Sequence, residues 1–279
     1  MLKDKSNKAR ILSLISIYHA KSGHPGGVLS CIDILTYLFN EEMNYDSSNF
    51  SVKDRDRFIL SKGHCAPALY AVASICGILD ESRLNGLRKI NHELQGHTCR
   101  TTTPWVEAST GSLSQGFSFA IGEAMGLRMQ KIDNRVYVMI GDGEMQEGEI
   151  WEGAMFAAHH NLSNLCAILD YNKLQSDNTN ANIMGLEPVY DKWQSFGWNV
   201  LEIDGHDEIQ IKEAFNRARD SKDRPTFIIA HTIKGKGVSY MENIPEWHGS
   251  LKLSDEDLTG ALTELGVSND DIKAVIDGR

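Results

Sequence analysis

The stretch "VYVMIGDGEMQEGEIWEG" (136–153) places one carboxylate, Asp142, between Gly141 and Gly143 at the end of an apolar run. A second polar residue, Asn172, closes the apolar run "LCAILDYN" 30 positions later. Both offer oxygen, which suits a small hard cation such as Mg²⁺ bridging protein to a diphosphate. Gly143 leaves room for a backbone N–H to approach phosphate, and a helix start just beyond favours anions. A dinucleotide loop is the competing reading of the glycines. Its fingerprint is Gly-x-Gly-x-x-Gly, whereas Gly141, Gly143 and Gly148 space as Gly-x-Gly-x-x-x-x-Gly. Asp-Gly is also a common turn dipeptide in its own right.

Four histidines sit in loops: His24 in "SGHPGG", His64 in "KGHCAP", His97 in "QGHTCR" and His248 in "EWHGS". Imidazole can hold phosphate, bond sugar hydroxyls and move protons near neutral pH. His159 and His160 fall inside a helical segment and read as packing or surface residues. His19, His92, His206 and His231 are given no role.

These residues need a frame that brings distant loops together. Residues 6–21 carry Ile11, Leu14, Ile15 and Tyr18 at helical spacing. "SGHPGG" then breaks the helix, and 28–43 read as a second, buried helix. Strands are expected at 57–61, 135–141, 165–172, 199–205 and 225–233. Helices are expected after "KGHC", within 110–129, and over 148–161, 188–198 and 209–221. Residues 80–108 read as polar and irregular, and acidic helical segments close the chain. Apolar strands alternating with helices predict an α/β fold, a mostly parallel sheet flanked by helices. Neither an internal repeat nor a linker divides the 279 residues, so residues 1–279 are expected to form a single domain.

Bulk composition excludes several classes. A net charge of −10, from 28 basic and 38 acidic residues, argues against a nucleic-acid binder. Five cysteines without a Cys-x-x-Cys spacing argue for reduced thiols and a cytoplasmic setting. The N-terminal stretch lacks the pattern of a signal peptide. No apolar run approaches the ~20 residues that a membrane helix needs.

In order along the chain, "KSGHPGG", "DRDRFILSKGHCAPALYA", "STGSLSQG", "IGDGEMQEG", "DYNKLQ", "IDGHD", "TIKGKG" and "WHG" resemble transketolase. The resemblance covers roughly residues 6–250 and only the cofactor-binding half of a full transketolase. It implies the thiamine-diphosphate-binding fold and the N-terminal subunit of a split, two-chain enzyme. The cofactors implied are thiamine diphosphate and Mg²⁺, with Ca²⁺ or Mn²⁺ as substitutes. Asp142, Asn172 and the carbonyl of Leu174 would bind the metal. His64, Gly143, Asn172 and His248 would hold the diphosphate. Gly111, Ser112 and Leu113 would lie beside the aminopyrimidine. His24, His97 and His248 would line the sugar channel as catalytic residues. The partner implied is a C-terminal subunit, in a heterotetramer with two of each chain, and the substrates are a ketose donor and an aldose acceptor.

Glu147 and Glu152 match residues near the family's subunit interface, and read equally well as a solvated acidic first turn. Ser114 stands where the family usually has glycine, and Thr98 where it has proline; Lys173 follows Asn172 as in some members. "HTCRTTTPWVEAST" is unusual and lies near the expected sugar channel. Half of another thiamine enzyme is an alternative, of the deoxyxylulose-phosphate synthase or 2-oxoacid dehydrogenase type. So is a non-catalytic cofactor-binding subunit. "KSGHPGG" together with "WHG" favours transketolase.

Overall fold

The computed structural model describes residues 2–176, 178–249 and 251–278. Its elements are α1 (Leu2–Ala20), α2 (Pro25–Tyr37), β1 (Arg57–Leu60), α3 (Ala66–Ile75), α4 (Gln115–Met129), β2 (Val136–Gly141), α5 (Gly148–His159) and β3 (Leu165–Tyr171). They continue through β4 (Leu174–Gln175), β5 (Asn178–Thr179), α6 (Asn180–Ile183), α7 (Val189–Ser195), β6 (Asn199–Asp204), α8 (Glu208–Asp220), β7 (Thr226–His231), α9 (Asp255–Glu264) and α10 (Asn269–Ile276).

Five strands form a parallel sheet in the order β1-β2-β3-β7-β6. Alternate residues of each strand point to opposite faces, and each face has its own core. Phe58, Tyr137, Met139, Ile168 and Ile228 meet α1, α2, α3, α8, α9 and α10 on one side. Ile59, Val138, Ile140, Ala167 and Phe227 meet α4, α5 and α7 on the other. Covering both faces explains why β2 and β3 are buried throughout and apolar but for Asp170. The edge strand β6 exposes Glu202.

The second helix begins earlier than its apolar pattern predicts, at Pro25. Proline is well suited to a first helical position, where its missing N–H has no partner to lose. That helix ends at Tyr37 and widens into a π turn over Leu38–Glu42. The helix expected at 188–198 stops at Ser195, and Gly197 follows with φ +93°. The β4–β5 hairpin and α6 were not anticipated, because two-residue strands show no readable period.

Candidate active site at the carboxyl edge of the sheet

Parallel strands deliver their following loops to one edge. Four of them do so here. Lys62 and His64 follow β1, Asp142 follows β2, Asn172 and Leu174 follow β3, and Lys234 follows β7. Gly141 is in register with Asp170, so the loops after β2 and β3 leave the sheet side by side. These residues line a cavity of about 220 Å³ that also takes in Leu113, Gly143 and His248.

Asp142 is 4% exposed. Its carboxylate accepts from Gly143 N at 2.9 Å and Asn180 Nδ2 at 2.9 Å, both neutral donors. Burial raises its pKa to about 6, against the opposing hydrogen bond from Asn180. Asn172 Oδ1 accepts from Leu174 N at 3.1 Å, and Leu174 O accepts from Lys234 Nζ at 3.1 Å. A buried carboxylate, an amide oxygen and a carbonyl make an all-oxygen set that fits a hard divalent cation. An ammonium already rests on one of those oxygens. Among the described residues no group of three or more His, Cys, Asp or Glu side chains suits a metal. Gly143 does more than leave space for phosphate: a Cβ there would lie 2.9 Å from Gln175 Oε1. A 3₁₀ turn, Gly143–Gln146, separates Asp142 from α5.

The four loop histidines converge. Ring centroids lie 5.2 Å apart for His24–His64, 6.4 Å for His24–His97, 6.1 Å for His24–His248 and 5.5 Å for His64–His248. Burial lowers the His24 pKa to about 4, with His64 adding to the effect. His24 Nδ1 is buried without a hydrogen-bond partner, an atom that a ligand hydroxyl would satisfy. His97 is exposed, and partial desolvation followed by His64 lowers its pKa. Burial and then the Lys234 ammonium lower His248 to about 2, and Lys234 Nζ donates to its Nδ1. Burial in turn lowers Lys234 to about 8, although Asp142 opposes it.

Gly27 permits this convergence, since a Cβ there would approach His64 Nε2 to 3.2 Å. Gly111 adopts φ +132°, and a Cβ there would meet His97 Cδ2 at 2.8 Å. Ser112 and Leu113 are exposed. Glu147 and Glu152 are also exposed, so their two readings stay open. His206 and His231 pair with Asp33 and Glu202, away from the cavity.

Sequence reasoning overlooked the polar layer beneath the site. Asp170, fully buried in β3, accepts from Lys62 Nζ, from Ser30 Oγ at 2.5 Å and from Thr232 Oγ1. Burial alone would raise its pKa; the adjacent Lys62 ammonium and the hydrogen bonds from Lys62, Ser30 and Thr232 together hold it below the ordinary value. Glu144 accepts from Ser61 Oγ, from Ser114 N at 2.9 Å and from Gly141 N at 3.0 Å, tying three loops together. Charges inside otherwise apolar runs, Lys62 after "RFIL" and Asp170 within "LCAILDY", were the available signal. Lys234 had a comparable one in "TIKGKG". A larger hollow of 440 Å³ touches Arg10, Asp33 and His206, whose polar groups already bond one another.

Comparison with known proteins bears on this geometry. Residues 2–276 match the family model described as transketolase, thiamine diphosphate binding domain. The chain is 41% identical over 264 residues to a 6-deoxy-6-sulfo-D-fructose transketolase subunit of Clostridium sp. (strain MSTE9), covering 95% of this chain and 96% of the relative. It is 39% identical over 255 residues to an apulose-4-phosphate transketolase subunit of Phocaeicola vulgatus, covering 91% of this chain and 90% of that relative. The solved transketolase from Leishmania mexicana superposes with a TM-score of 0.91 at 29% identity, over 100% of this chain but 44% of that one. The parallel sheet, the strand-end oxygen site and the histidine cluster thus occur in a chain that belongs to the thiamine diphosphate binding domain family of transketolases.

Proposed function

We propose that this chain is the cofactor-binding subunit of a two-chain transketolase, acting as one domain and complete only with a C-terminal partner. The observation that carries the reading is the histidine cluster, of which His64 and His248 line the same cavity as an all-oxygen cation site. Two relatives that match nearly end to end are themselves named transketolase subunits, which supports the two-chain form. A heterotetramer of two of each chain is the assembly we expect. The five free cysteines fit a cytoplasmic setting.

Asp142, Asn172 and the Leu174 carbonyl would hold Mg²⁺. His64, Gly143, Asn172 and His248 would hold the diphosphate, and Lys234 would add a positive charge to it. Gly111, Ser112 and Leu113 would border the cofactor's ring. When bound, thiamine diphosphate supplies the nucleophilic carbon and the electron sink for two-carbon transfer. His24 and His97, neutral near pH 7, orient sugar hydroxyls and take or return their protons. His248 has its Nδ1 engaged by Lys234, so it presents Nε2–H to a substrate oxygen. The relatives' names point to a ketose carrying an anionic group as donor.

Purified chain, alone and with the partner subunit, should be assayed for transfer of a two-carbon unit from ketose to aldose. Turnover is expected only in the mixture. Turnover by the chain alone would overturn the two-chain reading, and pyruvate decarboxylation without ketol transfer would overturn the transketolase reading.

A further inference from the structure

Arg88 lies outside every motif, in the segment that leads from the end of α3 to His97. Its backbone is left-handed, φ +59°, and its N–H donates to Leu94 O at 2.8 Å, closing a loop that returns the chain toward Gly96. The guanidinium reaches two places at once. Nη1 donates to Ser22 Oγ at 2.8 Å, two residues before His24. The same group lies over Gly96, one residue before His97: a Cβ there would fall 2.4 Å from Nε and 2.6 Å from Cζ. Glycine at 96 is therefore the residue that lets a guanidinium pack against the backbone of the His97 loop.

We propose that Arg88 is a positioning residue for ketol transfer: it braces the His24 loop against the His97 loop and sets a fixed positive charge beside both imidazoles. This rests on the assignment of His24 and His97 to the sugar channel. A planar, permanently charged fork suits the task, because it can bond Ser22 with one arm while its face covers Gly96. A lysine supplies charge without that shape. The electrostatic consequence is visible at both rings. His24 is lowered by burial, then His64, with Arg88 and His97 adding to it and Cys65 opposing. His97 is lowered by burial, then His64 and Arg88, with Cys65 again opposing. The His248 ring, whose centroid lies 6.1 Å from that of His24, has the Lys234 ammonium on its Nδ1. Arg88 thus helps to keep two hydroxyl-binding imidazoles neutral, as proton acceptors.

The test compares wild type with Arg88→Met, Arg88→Lys and Ser22→Ala. Histidine titration by NMR on the full chain reads the charge and needs no partner subunit. The His24 and His97 midpoints should rise in Arg88→Met and stay near wild type in Arg88→Lys and Ser22→Ala. Kinetics with the partner subunit read the brace, using fructose 6-phosphate or 6-deoxy-6-sulfofructose as the ketose. KM for the ketose should rise about tenfold in all three variants, with thiamine diphosphate affinity unchanged, because a small misplacement of orienting groups costs that much or more. Wild-type midpoints in Arg88→Met overturn the inference. So does an unchanged ketose KM, or a KM rise matched by an equal loss of cofactor affinity, which would report general damage. Absence of ketol transfer in wild type would sink the proposed function instead, and the titration alone would then decide the role of Arg88.

Discussion

His24 links burial to acid sensitivity. An imidazole free in an unfolded chain titrates near ~6.5, whereas burial holds His24 near 4 in the fold. The unfolded state therefore binds the proton first as pH falls. Stability from the neutral ring is complete above the unfolded value and is lost as pH drops from about 6.5 toward 4. The urea midpoint of wild type should fall across that window, and His24→Gln should remove part of the slope. Identical slopes in the two proteins would rule this out. Ser114 offers a test of opposite sign. It adopts φ +76° at the N-cap of α4, a conformation that costs a side-chain-bearing residue about 1–2 kcal/mol. Ser114 is buried, and its hydroxyl can donate to Glu149 Oε2 at 2.7 Å or to the neighbouring Leu113 O, a single bond's return. Ser114→Gly is expected to stabilise the chain by about 1 kcal/mol, read as a higher thermal midpoint; a lower one would mean the hydroxyl contact outweighs the strain.

At the scale of elements, one carboxylate fastens four of them below the cavity. Asp170 in β3 takes hydrogen bonds from the loop after β1, from α2 and from the loop after β7. Removing its charge leaves the Lys62 ammonium buried without its counter-ion, which costs about 3–5 kcal/mol. Asp170→Asn should show that loss in urea unfolding, and Asp170→Leu combined with Lys62→Met should regain much of it. A single variant as stable as wild type would show that water reaches Lys62. This layer explains what could and could not be read from sequence. The strands and main helices were legible because their apolar periods are long and both faces of the sheet are covered. Asp142 and Asn172 were legible because each ends such a run. Convergence of the four histidine loops was hidden, because only the His64 loop directly follows a strand, while His24 precedes α2 and His97 lies in the irregular segment between α3 and α4. The β4–β5 hairpin was hidden because its strands have two residues each. Asp170, Lys62 and Glu144 were hidden because a buried pair looks in sequence like two unrelated charges, 108 residues apart in the case of Lys62 and Asp170.

For the whole molecule, the question is how much of a cofactor site one chain can provide. The chain spans 44% of the solved transketolase it superposes on, yet nearly all of two subunit relatives. Its cavity gathers Lys62, His64, Asp142, Asn172, Lys234 and His248 at the carboxyl edge of the sheet. Those groups suit a cation and a diphosphate. The lining also includes Leu113, 38% exposed, with Ser112 exposed beside it. The anionic end of the cofactor is thus the part that this chain is equipped to recognise, and a second chain would enclose the rings. Isolated chain is therefore expected to bind thiamine diphosphate only with Mg²⁺, and to bind thiamine lacking the diphosphate at least a hundredfold more weakly, a loss of about 2.7 kcal/mol or more. Adding the partner subunit should tighten diphosphate binding, because enclosing the rings contributes burial that the open cavity lacks. Calorimetric titration of the chain with each ligand, with and without Mg²⁺, measures all three effects. Equal affinity for thiamine and its diphosphate would place the main contacts on the rings and contradict the division of labour between the two chains.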